Sequence, residues 1–176
     1  YTVGHSTRTL EELAGMLKAH GVAAVADVRL IPRSRRVPWF NADVLPGELA
    51  KLGLAYLPFG QLGGRRRAAK DSPNTGWRNE SFRGYADFMQ TEAFNEGIEQ
   101  LMAAAEKRAT TIMCAEAVPW RCHRSLIGDA LLVRGWEVLD IMSTSKVQPH
   151  VLTKFAKVEG LKISYPPEES LFKGSL

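Results

Sequence analysis

Two cysteines in 176 residues are too few for the disulfide framework of a small secreted protein. No apolar run approaches the roughly 18 residues that a membrane-spanning helix needs. Neither G-x-x-x-x-G-K-[ST] nor G-x-G-x-x-G occurs, which removes the two commonest phosphate-binding loops, and no C-x-x-C knuckle of a structural zinc site is present. Tyr1–Ser6 reads as a short strand ending in polar residues, not as a secretory signal. These absences leave a reduced thiol pair in a protein without a membrane partner, and the cytoplasm is its expected compartment.

Hydrophobic residues make up 45% of the chain and charged residues 24%, the balance of a folded globular protein. The length suffices for one sizeable core, so one domain is expected over 1–176, with 147–176 as its C-terminal extension. The net charge of +4 hides an uneven distribution. Between Arg29 and Arg83 nine Arg and two Lys face only Asp43, Glu48, Asp71 and Glu80. A local positive field of this kind attracts phosphates, nucleic acid or acidic small molecules. Its cations are almost all Arg, whose planar fork suits carboxylate and phosphate better than a Lys ammonium does.

Strand and helix patterns alternate along the chain. Tyr1–Val3 begins a strand, and Thr9-Leu10-Glu11-Glu12 has capping-box spacing ahead of Leu10, Leu13, Ala14 and Leu17 on one helical face. Val22–Val28 is an apolar run broken only by Asp27, as expected of a strand buried on both faces. A basic loop, Arg29–Trp39, follows, then a helix starting just before Pro46 and stopped by Gly53, then a strand over Leu54–Phe59. Gly60–Arg83 lacks periodicity and reads as a functional loop. Tyr85, Phe88 and Met89 mark one helix and Phe94, Ile98, Leu101 and Ala105 another. A strand over Thr110–Ala115, a helix over Arg121–Arg134 and a strand over Trp136–Met142 complete the pattern. The tail from Gln148 carries a short helical pattern and an extended Lys162–Pro167. The alternation predicts an α/β sandwich, a mostly parallel central sheet of about five strands with helices on both faces.

Ligands of an open parallel sheet bind outside the carboxyl ends of its strands. Those ends are unusually polar here: Gly4-His5-Ser6-Thr7, Asp27-Val28-Arg29, and Cys114-Ala115-Glu116 with Pro119-Trp120-Arg121-Cys122-His123-Arg124 at a helix start. A helix N-terminus beside Arg121 and Arg124 favours an anion and lowers the pKa of a nearby thiol. The candidate catalytic residues are therefore Cys114 or Cys122 as nucleophile or redox thiol, Glu116 and His123 as acid and base, and His5 and Asp27 as orienting groups. Candidate substrate-binding residues are Ser6, Arg29, Arg33, Arg35, Gly63, Gly64, Arg65, Arg83, Tyr85, Arg121 and Arg124. Cys114, Cys122 and His123, with His5 or Glu116, are equally ligands that zinc or iron accepts. A buried structural cysteine is the alternative role for Cys114, since free Cys is among the most buried residue types. The C-x-x-x-x-x-R loop of cysteine phosphatases fits neither thiol, because Trp120 and Gly128 stand where its Arg is required. In the loop Arg29–Trp39, Arg29, Arg33, Arg35 and Arg36 precede Trp39 and Phe40, and Trp77-Arg78 and Phe82-Arg83-Gly84-Tyr85 repeat the pairing of cation and aromatic ring used by single-stranded nucleic-acid sites.

At these residues the sequence resembles the DUF488 family of bacterial and archaeal proteins, a domain of unknown function. The resemblance rests on Thr2-Val-Gly-His5-Ser6, Asp27-Val-Arg29 with Pro32-Arg33-Ser34-Arg35, Leu62-Gly63-Gly64, Phe82-Arg83-Gly84-Tyr85-Ala86, and Cys114-Ala-Glu116-Ala-Val-Pro-Trp-Arg-Cys122-His123-Arg124. It implies an α/β fold with the polar motifs gathered at one site, and no settled reaction. Three functions compete: an enzyme acting on an anionic, phosphate-bearing substrate such as a nucleotide or nucleic acid, a zinc- or iron-dependent version of the same site, and a non-catalytic nucleic-acid-binding module.

Overall fold

The computed structural model describes residues 1–168. Its elements run β1 (Thr2–Gly4), α1 (Leu10–Ala19), β2 (Ala24–Asp27), α2 (Leu45–Lys51), β3 (Ala55–Pro58), α3 (Glu80–Phe88), α4 (Glu92–Lys107), β4 (Thr110–Cys114), α5 (Arg124–Val133), β5 (Leu139–Ile141), β6 (Val147–Pro149), β7 (Lys157–Glu159) and β8 (Lys162–Ser164). Short 3-10 turns cover Pro38–Phe40, Gly60–Leu62 and Pro119–Arg121. Six strands form the main sheet in the order β3-β2-β4-β1-β5-β6, all parallel except β6, which runs antiparallel to β5. This is the mixed α/β sandwich that the alternating patterns predict, with one strand more than expected.

Alternation along the strands assigns the two cores. Val3, Val25, Met113 and Ile141 face α1 and α2 and pack with Leu13, Leu17, Leu45 and Leu49. Ala26, Val28, Ile112 and Cys114 face the other way, onto Tyr85, Phe94, Ile98, Leu126 and Ile127 of α3, α4 and α5. Successive side chains of a strand point to opposite faces, so Cys114 inherits the face of Ile112, and Asp27 lies on the face of Val25. β4 and β1 are adjacent, and the chain winds outward from them in both directions, which makes their carboxyl ends the crevice of the sheet.

Three local expectations need correction. The tail carries no helix among the described residues: Val151, Phe155 and Val158 have helical spacing, but Val151 and Val158 are exposed and the segment forms β6 and the β7–β8 hairpin instead. Pro149 sits at the end of β6, an outer strand whose free edge tolerates a missing N–H. The helix expected from Arg121 starts at Arg124, because Pro119–Arg121 turns as a 3-10 segment first. The loop after Gly60 ends earlier than Arg83, since Asn79 caps α3 by accepting from the N–H groups of Ser81 and Phe82. No helix among the described residues is long and apolar enough to cross a membrane.

Candidate functional site

A cleft of about 370 Å³ opens over the end of β4. Cys114, Cys122 and His123 form its floor, and Glu116, Arg121, Arg65 and the edge of Arg29 are among its walls. The thiol sulfurs and a His123 ring nitrogen lie within 4.8 Å of one another. Both cysteines are free and buried.

The protonation pattern of this trio follows from its hydrogen bonds. His123 Nε2 is 2.9 Å from the carbonyl of Val28, which can only accept, so Nε2 donates there and Nδ1 is the ring nitrogen that faces the sulfurs, 3.7 Å from Cys122 Sγ. The hydrogen bond from the Cys122 thiol holds Cys114 far below the usual thiol pKa; burial opposes this, and His123 and the Glu116 N–H reinforce it. Burial, together with the hydrogen bond to Cys114 and the charge there, pushes Cys122 far up, so the pair shares one proton. These directions favour the thiolate at Cys114 and the proton at Cys122, and the N–H of Arg124 at the start of α5 reaches Cys122 Sγ at 3.5 Å.

Much of the surrounding polar equipment holds this arrangement in place. Arg124, 1% exposed, gives Nη1 to the carbonyl of Glu116 at 2.5 Å and Nη2 to that of Ala117 at 3.1 Å. It therefore pins the loop after β4, and its Nε is buried without a partner. A Cβ on Gly4 would sit 1.7 Å from the Glu116 carbonyl oxygen, so only glycine at the end of β1 lets that loop cross. Tyr85 is fully buried, donates to the carbonyl of Leu62 at 2.7 Å and packs 5.0 Å from the His123 ring. Gly63 and Gly64 let the next loop pass close: a Cβ on Gly64 would lie 3.0 Å from His123 Nδ1, and one on Gly63 would lie 2.7 Å from Leu30.

His5 and Asp27 sit on the opposite face of the sheet and reach the cleft only through Arg29. Asp27 takes Arg29 Nε and Nη2 at 2.8 and 2.6 Å and the Tyr56 hydroxyl at 2.8 Å. Arg29 Nη1 approaches His5 Nε2 at 3.2 Å, and His5 Nδ1 bonds the Ser6 carbonyl at 2.8 Å. Each ring nitrogen is thereby assigned: Nδ1 donates and Nε2 accepts, and burial keeps the His5 pKa below its ordinary value. His5 also stacks on Phe40 at 4.2 Å. This group is a brace that orients Arg29.

Of the residues singled out in the sequence, Cys114, Glu116, Cys122, His123, Arg29, Gly64, Arg65 and Arg121 meet in the cleft lining. Ser6, Gly63, Arg83, Tyr85 and Arg124 lie outside it, as do the exposed Arg33 and Arg35. The lining also includes Asn79, Ser81 and Phe82, which sequence reasoning left out of the site. The signal for them was the capping sequence Asn79-Glu80-Ser81, which turns the loop into α3 beside the cleft.

Cys114, Cys122 and His123 could also hold a metal. Two thiolates and one imidazole, with ligand atoms within 4.8 Å of one another, would make a donor set that zinc or iron accepts. His123 giving its other ring N–H to a backbone carbonyl is the arrangement metal-binding histidines adopt.

Fold and site together define an α/β protein with a paired-cysteine and histidine centre in an arginine-walled cleft at the carboxyl ends of its strands. The chain belongs to the DUF488 family, described as a domain of unknown function, which matches residues 9–131. That span includes the second and third strand ends and the whole Cys114–Arg124 segment, and begins after β1. No curated protein and no solved structure matches the chain.

Proposed function

We propose that the protein is an enzyme that acts on an anionic, phosphate-bearing substrate, with Cys114 as the nucleophile. The observation that supports this most is the grouping of Cys114, Cys122 and His123, their sulfurs and ring nitrogen within 4.8 Å of one another, at the floor of a cleft walled by guanidinium groups. Arg65 and Arg121 are exposed at the cleft and free to meet an anion, while Arg29 offers an edge already fixed by Asp27. Cys114 Sγ donates its electron pair to an electrophilic centre next to that anion as the leaving-group bond breaks with its own pair. Glu116, exposed in the same lining, gives the leaving group its proton when protonated and takes one from the water that releases the product.

The test is alkylation of Cys114 by iodoacetamide, followed by mass spectrometry across pH. Cys114 reacts at a pH well below that of an ordinary thiol, whose pKa is about 8.5. Cys122→Ala shifts its midpoint upward, and inorganic phosphate or pyrophosphate protects it. If Cys114 titrates as a free thiol and no anion protects it, the proposal is wrong. The ligand set of Cys114, Cys122 and His123 favours a second reading, in which these three residues would hold a zinc or iron ion that would supply Lewis-acid chemistry at the cleft. Near-stoichiometric metal in protein purified without a metal column, with alkylation that waits for a chelator, selects it.

A further inference from the structure

The cleft does not stop at Arg121. Asn79, Phe82, Glu116 and Arg121 also line an adjoining open groove that continues along Trp77, Arg78 and Trp120. Trp120 is 59% exposed, the one aromatic ring among the exposed large hydrophobic side chains of the described residues. It is held there by a stiff support. The turn Pro119–Arg121 is closed by the Cys122 N–H on the Pro119 carbonyl at 3.0 Å, and Pro119 itself is buried. Trp77, by contrast, packs on Phe82, Phe155 and Tyr165. The groove therefore has a water-facing indole on a hydrogen-bonded turn, two positions before Cys122, with Arg78 and Arg121 in the same lining.

We propose that this groove is a nucleobase-stacking subsite and that the ligand of the cleft is a nucleotide, free or within a single strand. This rests on the reading that the cleft takes a phosphate-bearing substrate. A nucleotide has a base with an apolar face for the Trp120 indole and a phosphate for guanidinium forks, and the groove that holds Trp120 shares Asn79, Phe82, Glu116 and Arg121 with the cleft over Cys114. Stacking on an indole is sequence-tolerant, because every base offers a π-face, and it needs that face uncovered, which excludes a duplex. Arg65, Arg78 and Arg121 are exposed along the combined cleft and groove against the single carboxylate Glu116. Phosphates therefore lie on the arginine side, and Glu116 is left for the amino edge of a base or for proton transfer.

The experiment is fluorescence anisotropy with short labelled homopolymer strands of DNA and RNA, the same strands as duplexes, and unlabelled mononucleotides as competitors. Wild type binds single strands more tightly than duplexes. Trp120→Ala weakens that binding by on the order of tenfold or more, and Trp120→Phe, which keeps an aromatic face, stays near wild type. Arg78→Ala with Arg121→Ala flattens the dependence of affinity on salt. A mononucleotide that competes as well as a strand identifies the free nucleotide as the ligand, and weaker competition identifies the chain. Both Trp120 variants change an exposed side chain, so lost binding cannot be lost folding, and circular dichroism checks it. Equal binding by Trp120→Ala and wild type, equal binding of duplex and single strand, or no binding at all overturns the proposal. Protection of Cys114 from alkylation by inorganic phosphate is read in parallel: if it persists while Trp120→Ala changes nothing, the base subsite fails and the anion-binding enzyme stands. If it is absent in wild type, the underlying reading fails first.

Discussion

Two clusters of buried polar side chains stand side by side in this protein, and they differ in how completely they are satisfied. In one, His150 Nε2 meets Asp129 at 2.9 Å and Nδ1 meets Asp140 at 3.3 Å. The other carboxylate oxygens accept from the Tyr165 hydroxyl at 2.9 Å and the Thr2 hydroxyl at 2.6 Å, and the Thr153 N–H adds a bond to Asp129. Every carboxylate oxygen of Asp129 and Asp140 therefore has a partner. Around Cys114, the hydrogen bonds run only between the trio and its supports, and the cleft side stays open. A closed network ties elements together: it joins α5, β5, β1 and the C-terminal segment. An open one leaves a sulfur facing the cleft.

The sharpest way to break the comparison is to remove one charge from each cluster. Asp129→Ala leaves the His150 ring and the Tyr165 hydroxyl buried without their partner, and breaking a buried ion pair costs about 3–5 kcal/mol. Cys114→Ala removes a small group beside open space and costs about 1 kcal/mol or less. Urea unfolding of the two variants measures both. A loss below about 1 kcal/mol for Asp129→Ala would mean that the His150 network is not the clamp its geometry describes.

The same network should also set how stability responds to pH. Burial works against a charged His150, but the hydrogen bonds to Asp129 and Asp140 and their charges outweigh it and raise the ring from 6.5 to about 9. A raised folded-state pKa stabilises fully below the unfolded value and loses that contribution as pH climbs through the folded one. The contribution of His150 to stability should therefore fall between about pH 6.5 and 9, by roughly 2 kcal/mol once partial solvent access is allowed for. His150→Gln should remove that fall, and Cys114→Ala, which removes a thiol whose lowered pKa makes stability rise with pH over much of the same range, should steepen it. Thermal melts across this range, with both variants, decide it; an unchanged slope in His150→Gln removes the imidazolium from the explanation.

How much of this was legible in the residues depends on whether a signal was local. The capping box at Thr9, the alternation of strand and helix, and the cluster from Cys114 to Arg124 are local, and the structure has the α/β sandwich and the convergence of Cys114, Cys122 and His123. The division of labour among the arginines was not legible. Arg121 and Arg124 are three positions apart, yet one is exposed at the cleft and the other is buried under backbone carbonyls. That choice is made by the 3-10 turn at Pro119 and the start of α5, which no spacing rule anticipates. The His150 network was invisible for another reason. Thr2, Asp129, Asp140, His150 and Tyr165 are far apart in the chain, and each alone reads as an ordinary polar residue.

Tyr85 provides the finest test, because its ring belongs to the core and touches the site. Its hydroxyl donates to the Leu62 carbonyl at 2.7 Å, just ahead of the glycine pair that passes His123. Burial pushes its pKa well up, so the group stays a phenol throughout any practical pH range. Tyr85→Phe keeps the ring against His123 and removes only that hydrogen bond, a loss of about 1 kcal/mol. The pH midpoint for alkylation of Cys114 should move less than it does in Cys122→Ala, because the ring that orients His123 is still there and the thiol that holds the proton is untouched. Urea unfolding and the alkylation profile of the one variant read the two effects separately. If Tyr85→Phe instead raises the Cys114 midpoint as far as Cys122→Ala does, the hydroxyl acts on the thiolate, and Tyr85 belongs to the open cluster and not to the packing beneath it.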